Sequence, residues 1–131
     1  MHILIVDDEP DLCWALERML RTSGVTISAV GCAAAALDLV RQHSYAVAFV
    51  DAILPDANGI QLAEQIHALS PHTRLVVMSG YYYQEDQSLT QAPLAGFLSK
   101  PFLRADVRTI LQQALSADIC QREECACHTS C

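Results

Sequence analysis

The sequence predicts a doubly wound α/β domain built on a five-stranded parallel sheet. Short apolar runs alternate along the chain with stretches of helical period, which is the order that βα units produce. The runs are apolar almost without interruption, as expected of parallel strands buried on both faces. The 131 residues suffice for one domain with its own core, and 52% hydrophobic with 18% charged residues is typical of a globular protein.

Five short runs rich in β-branched and other apolar residues are interpreted as the strands. They span residues 3–6, 26–30, 46–50, 75–78 and 95–98. Glycines stand at the joints between the runs and their neighbours.

Four of the intervening stretches place apolar residues on one face of a helix. They span residues 12–20, 33–40, 62–69 and 107–115. A fifth helix is expected between residues 84 and 91, where the pattern is weakest because the stretch is polar with one leucine. Asn58-Gly59 is typical of a hairpin turn, but helical residues follow it, so we do not interpret it as one.

The charge balance limits the possible partners. A net charge of -7 and a pI near 5.0 argue against general binding to nucleic acid or to anionic membranes. The first apolar run is broken at Asp7, so it is not a leader, and no stretch approaches the length of a membrane span. We therefore expect a cytoplasmic protein with reduced cysteines, in which Cys13 and Cys32 are packing residues.

Polar residues stand where four of the predicted strands end. The first strand is followed by Asp7, Asp8 and Glu9, the third by Asp51, the fourth by Ser79 and the fifth by Lys100. Each residue type has an ordinary structural explanation, such as a helix start, a turn cap or a solvated charge. In open α/β sheets, however, ligands bind outside the carboxyl ends of the strands, so the conjunction favours a functional site.

Electrostatics predicts what such a site would hold. Two unit charges ~4 Å apart repel by roughly 4 kcal/mol at an effective dielectric near 20. If Asp7, Asp8 and Asp51 converge, one of them must take up a proton unless a cation is present. Lys100 answers part of this charge, and oxygen ligands with room for water suit Mg²⁺, which often completes its shell with a phosphate.

Four motifs in this order, "ILIVDDEP", "VDAILPDANG", "VVMSGY" and "FLSKPF", resemble the receiver domain of two-component response regulators. The resemblance runs from about residue 2 to residue 117 and is specific because each motif stands at a strand end. It implies a flavodoxin-like (βα)5 fold with strand order 2-1-3-4-5, and this order comes from the family alone.

The resemblance also implies a role for each site residue. Asp51 would be the phosphoacceptor, a stoichiometric one that catalyses its own phosphorylation and dephosphorylation. Asp8, Asp51 and the backbone carbonyl of Ile53 would ligate Mg²⁺ (or Mn²⁺), with Asp7 acting mainly through water. Ser79 and Lys100 would bind phosphoryl oxygens, and the Lys100–Pro101 bond is expected to be cis.

Signalling and lifetime are assigned by the same resemblance. Ser79 and the aromatic Phe97 would switch the surface formed by the fourth predicted helix, the fifth strand and the fifth helix, the α4-β5-α5 face of the family; an ordinary core role for Phe97 is the alternative. Ile53 and Tyr81 flank the phosphoryl position, and we expect these large side chains to hinder hydrolysis. Tyr81 with its two neighbouring tyrosines forms a partner surface in the alternative interpretation.

The predicted domain covers residues 1–117, and residues 118–131 are predicted to form a flexible Cys-rich tail. Its potential ligands for a metal or redox site are Cys120, Cys125, Cys127, His128 and Cys131. Their spacing lacks the strong CxxC…CxxC signature, so a disordered, reduced tail is the favoured interpretation and metal binding the alternative.

The implied partners are a histidine kinase or histidine phosphotransfer protein, a downstream protein or effector domain outside this chain, and a second copy bound through the switch face. A phosphorelay shuttle and a phosphorylation-independent scaffold are alternatives. An aspartate-nucleophile phosphatase of the haloacid dehalogenase type is disfavoured, because that family places D-x-D after the first strand, where this chain has D-D-E.

Overall fold

The computed structural model describes residues 1–22, 24–80 and 94–127, with residues 116–127 described by their backbone alone. The described residues form five strands and four helices. In chain order they are β1 (His2–Val6), α1 (Pro10–Leu20), β2 (Thr26–Val30), α2 (Ala33–Gln42), β3 (Val47–Asp51), α3 (Gly59–Leu69), β4 (Arg74–Ser79), β5 (Leu94–Ser99) and α4 (Arg104–Cys127). All five predicted strands are present, with bounds that shift by a residue or two. The fourth predicted helix, 84–91, lies outside the described residues.

The strands form one parallel sheet in the order β2-β1-β3-β4-β5, which confirms the expected doubly wound topology. The central strands β1 and β3 pair from Ile3↔Val47 to Val6↔Val50. Because the strands are parallel, this register carries Asp7 and Asp51 to the same edge of the sheet.

The sheet divides the core into two clusters, one on each face. Side chains alternate along a strand, so Leu4 and Val6 of β1 face α2 and α3, whereas Ile3 and Ile5 face α1 and α4. All four are fully buried. This two-sided burial explains why the strand sequences are apolar without alternation.

The helix starts follow the residues that the sequence offers. Pro10 occupies the first position of α1, where its missing N–H costs no hydrogen bond. Asn58 is the N-cap of α3, and its Oδ1 accepts a hydrogen bond from the Ile60 N–H at 2.7 Å. Asn58-Gly59 therefore starts a helix and is not a hairpin turn.

The last helix, α4, is the fifth helix of the sequence prediction. Val107 and Ala114 are fully buried, and Val107 packs in the second core cluster. The backbone stays helical to Cys127, past residue 117 where the predicted domain ends. None of the described helices combines the length and the hydropathy that a membrane span requires.

Candidate functional site

Three carboxylates meet at the carboxyl edge of the sheet, as predicted. Asp7 follows β1 and Asp51 ends β3; both are buried, whereas Asp8 is exposed. One oxygen from each of the three side chains lies within 4.8 Å of the others. The convergence predicted from the positions of these acids at strand ends is thus confirmed for all three.

Lys100, directly after β5, supplies the positive charge of this cluster. Its Nζ lies 3.0 Å from Asp7 Oδ2, 3.2 Å from Asp51 Oδ2 and 3.8 Å from Glu9 Oε1. The Lys100–Pro101 peptide bond is cis, as expected. One ammonium group therefore faces three carboxylates, and this leaves the site with net negative charge.

The ionisation of these groups reflects this unbalanced charge. Burial is the largest influence on Asp51 and raises its pKa above the ordinary range; Asp7 adds to the shift, while the Ile53 N–H and Lys100 oppose it. Burial acts to lower the pKa of Lys100, but the carboxylates of Asp7 and Asp51 outweigh it and raise that pKa. These surroundings keep Lys100 charged and make the ionisation of Asp51 less favourable than that of an exposed carboxyl group.

Backbone donors fix the two buried carboxylates. Asp7 Oδ1 accepts a hydrogen bond from the Glu9 N–H at 2.9 Å, and Asp51 Oδ1 accepts one from the Ile53 N–H at 3.2 Å. On each side chain, the other oxygen, Oδ2, faces Lys100. Both carboxylates are therefore held in defined orientations.

Ser79 ends β4 beside this cluster. The residue is only 3% exposed, and its Oγ finds no hydrogen-bond partner within the described part of the chain. Its backbone carbonyl accepts a hydrogen bond from the Lys100 N–H at 2.8 Å, so Ser79 and Lys100 are adjacent. A buried hydroxyl without a partner is costly unless a ligand satisfies it.

The residues at this edge fit a hard divalent cation. The acids Asp7, Asp8 and Asp51 offer carboxylate oxygens, the first and last from buried residues and the second from an exposed one, with an excess of negative charge. Oxygen ligands of this kind suit Mg²⁺ or Mn²⁺ and not the softer metals that thiolates and imidazoles select.

The remaining predicted site residues fall into two groups. Ile53 is exposed at the site, with 62% of its surface accessible, and Phe97 is half-buried in a cavity of about 350 Å³ between β5 and α4. Tyr81 and the side chains of the Cys-rich tail lie outside the described residues, and the roles assigned to them stay predictions.

Several residues that shape the site were missed by the sequence reasoning. Gly59 packs so closely that a Cβ there would overlap the backbone of Asp51 and Ala52. Asp56 accepts hydrogen bonds from the start of α2.

Cys13, expected to be a packing residue, also donates from Sγ to the Asp7 carbonyl at 3.3 Å, and burial raises the pKa of its thiol to about 11. The N-cap role of Asn58 was readable from its type and position before a helix.

Comparisons with known proteins agree with this geometry. The family described as "Response regulator receiver domain" matches residues 3–112. Sensor protein TorS of Escherichia coli (strain K12) is 33% identical over 121 residues, which cover 91% of this chain and 13% of that protein. Transcriptional regulatory protein ZraR of the same organism is 28% identical over 118 residues, covering 88% of this chain and 26% of that protein.

A solved structure matches over nearly the whole chain. The signal receiver domain of an HD domain-containing protein from Pseudomonas fluorescens Pf-5 has a TM-score of 0.83 at 25% identity, covering 93% of this chain and 91% of that one. The chain thus spans a small part of the two curated relatives but nearly all of a solved domain.

Proposed function

Because the chain belongs to the family of response regulator receiver domains, we propose that Asp51 accepts a phosphoryl group from the phosphohistidine of a histidine kinase or histidine phosphotransfer protein. The family serves two-component signalling.

The observation that carries the proposal is the position of the Lys100 ammonium between Asp7 and Asp51, at 3.0 and 3.2 Å. A carboxylate that is buried, oriented by a backbone N–H and paired with a lysine is a positioned nucleophile with charge compensation beside it. An ion pair that served stability alone would not need two further acids at the same point.

The reaction divides among the residues of this edge. An oxygen of Asp51 attacks phosphorus, the bond from phosphorus to the histidine nitrogen breaks, and that nitrogen keeps the electron pair. Lys100 neutralises one phosphoryl oxygen, and Ser79 Oγ, which lacks a partner among the described residues, donates to another. Asp8, Asp51 and the Ile53 carbonyl would hold Mg²⁺, with Asp7 acting mainly through water, and the bound ion would neutralise charge on the phosphoryl group.

Phosphorylation would change the surface formed by the fourth predicted helix, β5 and α4, and it would do so through Ser79 and Phe97. When the Ser79 hydroxyl turns to donate to the phosphoryl group, it leaves space at its former position. Phe97 is half-buried and lines a cavity between β5 and α4, so its ring has somewhere to move. A second copy or a downstream protein would bind the face that this movement changes.

The lifetime of the phosphoryl group would depend on the side chains around it. Ile53 is two residues after Asp51 and exposed at the site. We propose that Ile53, together with Tyr81, obstructs the approach of a hydrolytic water. Replacing Ile53 with Asn removes branched apolar bulk and adds a group that can bind water, so the rate of dephosphorylation should increase.

The whole protein's output is also a proposal, since the curated relatives are much longer than this chain. The relatives are a sensor protein and a transcriptional regulatory protein, so the same domain serves different outputs. A phosphorelay shuttle and a phosphorylation-independent scaffold are the alternatives. The shuttle needs a reactive Asp51, whereas the scaffold does not, so phosphorylation separates the scaffold from the other two.

The test is the intact mass of the protein after incubation with acetyl phosphate, with and without Mg²⁺. Wild type should gain one phosphoryl group, roughly 80 Da, only when Mg²⁺ is present, and Asp51→Asn should gain none. Asp38→Asn, which changes an exposed acid on α2, is the matched control and should react as wild type does. Absence of the adduct in wild type, together with no binding of beryllofluoride, contradicts the proposal and favours the scaffold.

A further inference from the structure

The loop of residues 52–58, which joins β3 to α3, is tied to a distant helix by one side chain. Asp56 Oδ1 accepts a hydrogen bond from the Ala33 N–H at 2.9 Å, and Asp56 Oδ2 accepts one from the Ala34 N–H at 3.1 Å. Both donors are in the first turn of α2. These two hydrogen bonds lower the pKa of Asp56, so its carboxylate is charged at neutral pH.

Asp56 supplies what the local sequence of α2 lacks. The N-cap of α2 is Cys32, whose side chain makes no capping hydrogen bond. The first N–H groups of a helix need acceptors, and a carboxylate is also favoured there by the helix dipole. The capping oxygen therefore comes from a residue that is 23 positions away from Ala33 in the chain.

Backbone hydrogen bonds fix the base of the same loop. The Ala52 N–H donates to the Met78 carbonyl at 2.8 Å, and the Gly59 N–H donates to the Ala52 carbonyl at 2.7 Å. Ile53 and Asn58 form an isolated antiparallel bridge. The tip of the loop turns through a hydrogen bond from the Leu54 N–H to the Ala57 carbonyl at 3.1 Å, and Asp56 lies inside this turn.

The segment that leads into α2 lies next to Asp7 and Asp8. Gly31, two residues before α2, approaches the Asp7 carbonyl and the Asp8 Cα closely enough that a Cβ would lie 3.8 Å from each. The Asp7 N–H donates to the Val30 carbonyl at 3.0 Å. Asp56 therefore joins the loop that carries Ile53 to the segment that supports Asp7 and Asp8.

We propose that Asp56 is a positioning residue of the acidic site: its carboxylate fixes the tip of the 52–58 loop against α2 and so holds the Ile53 backbone where a divalent cation binds. This inference rests on the proposed function for its metal, and it adds a residue that touches neither the cation nor the phosphoryl group. The side chain acts through the loop.

The test compares Asp56→Ala with Asp56→Asn. Both variants remove the charge, but asparagine keeps an acceptor oxygen and is a good capping residue, whereas alanine keeps none. If Asp56 positions the loop, alanine should weaken Mg²⁺ binding roughly tenfold, the scale seen when groups that orient metal ligands are removed. Asparagine, which can still accept one of the two hydrogen bonds, should weaken Mg²⁺ binding less than alanine does. Asp38→Ala removes an exposed acid from α2 without touching the loop and should change nothing.

Calorimetric titration with Mg²⁺ gives the dissociation constants, and amide hydrogen exchange of Ile53 in metal-free protein gives a second readout. Exchange at Ile53 should accelerate more in Asp56→Ala than in Asp56→Asn. Equal Mg²⁺ affinity in the two variants, or unchanged exchange at Ile53, overturns the inference. Asp56→Ser, with a shorter acceptor, serves if the alanine variant does not fold.

The two hypotheses fail in different ways. If wild type binds no Mg²⁺ and Asp51→Asn behaves like it, the proposed function fails, and the exchange rate of Ile53 still decides whether Asp56 holds the loop. If wild type binds Mg²⁺ and the alanine variant binds it equally well, only the role of Asp56 fails.

Discussion

Asp51 is held in the folded protein at a cost in free energy. Its side chain is buried beside Asp7, and among the described residues Lys100 and one backbone N–H compensate its charge. A carboxyl group whose pKa is raised by folding stabilises the protein below its unfolded pKa and loses that contribution as the pH rises through the folded value. At neutral pH without metal, ionised Asp51 therefore destabilises the fold.

Asp51→Asn should therefore be more stable than wild type at pH 7 in the absence of Mg²⁺. We expect a gain of roughly 1 kcal/mol, a fraction of the about 4 kcal/mol between two charges ~4 Å apart at a dielectric of 20, because Lys100 offsets part of the repulsion. The gain should vanish as the pH falls toward the unfolded pKa of 3.8. Urea unfolding between pH 4 and 8 measures it, with Asp38→Asn as the control. A variant less stable than wild type at pH 7 would contradict this account.

His2, the first residue of β1, lies at the opposite end of the sheet from Asp51, and folding disfavours its charged form as well. Its ring lies 4.3 Å from the Tyr45 ring and 5.9 Å from the His43 ring between centroids, and its Nε2 lies 2.9 Å from Ser28 Oγ. Burial lowers the pKa of His2, and the positive charges of His43 and the N-terminal amine lower it further. The folded protein therefore favours the neutral ring.

Stability should fall as the pH drops below 6.5, the ordinary pKa of His2, because the unfolded chain then takes up a proton that the folded chain resists. His2→Gln removes the titration and keeps a polar group near Ser28, so part of the acid sensitivity between pH 5 and 6.5 should disappear. Thermal unfolding measures the slope in wild type and variant. His67→Gln, on α3, is the control; an equal slope in wild type and His2→Gln would show that His2 does not contribute.

At the scale of the elements, the start of α3 is built onto the end of β3. Gly59, the first residue of α3, lies where a Cβ would come within 2.7 Å of the Asp51 carbonyl carbon and 2.8 Å of the Ala52 Cα. Both neighbours are backbone atoms that cannot rotate away. The close approach therefore needs glycine for space, not for an unusual backbone angle.

Gly59→Ala should destabilise the protein by about 1–3 kcal/mol, the usual cost of overpacking, and should also slow phosphorylation because relief of the overlap moves Asp51. Gly31→Ala is a matched control, since its Cβ would meet its neighbours at 3.8 Å, an ordinary contact distance. Chemical denaturation and the rate of reaction with acetyl phosphate check the two effects. Equal stability of the two alanine variants would refute the steric explanation.

At the scale of the whole molecule, the described core ends before the tail begins. Among the side chains of α4 that the structure describes, Leu115 is the last that packs in the second cluster, and the backbone stays helical to Cys127. A chain cut after residue 117 should therefore keep its melting temperature within about 3 °C, equivalent to less than roughly 1 kcal/mol. Differential scanning calorimetry measures this.

The control is a cut after residue 106, which removes the buried Val107 and Ala114 and should abolish cooperative unfolding. If the chain cut after residue 117 instead melts far lower than the full chain, the second half of α4 carries stability that the core packing does not explain, and the predicted domain boundary is wrong.

The sequence predicted the parts of this molecule that depend on periodicity and on strand ends. Apolar runs and helical spacing found every described strand and helix, and the carboxyl ends of parallel strands brought Asp7, Asp51 and Lys100 together as expected. Contacts that depend on the three-dimensional path were not predictable. The hydrogen bonds of Asp56 join residues far apart in the chain, and the clearance at Gly59 is a distance that no pattern encodes.

The extent of α4 shows a second limit. The predicted helix ends at Leu115, whereas the backbone stays helical to Cys127 over residues that include alanine, glutamate, glutamine and arginine, all of which favour helix. The spacing of apolar residues located this helix but not the residue at which its backbone ends.

The pairing of β1 with β3 has a consequence for synthesis. These strands are neighbours at the centre of the sheet, yet α1, β2 and α2 lie between them in the chain. A ribosome must release the chain past Asp51 before the centre of the sheet can close, and the step that closes it also brings the acidic residues together. Folding of the nascent chain should therefore become sensitive to ionic strength at one chain length, the length at which β3 emerges from the ribosome.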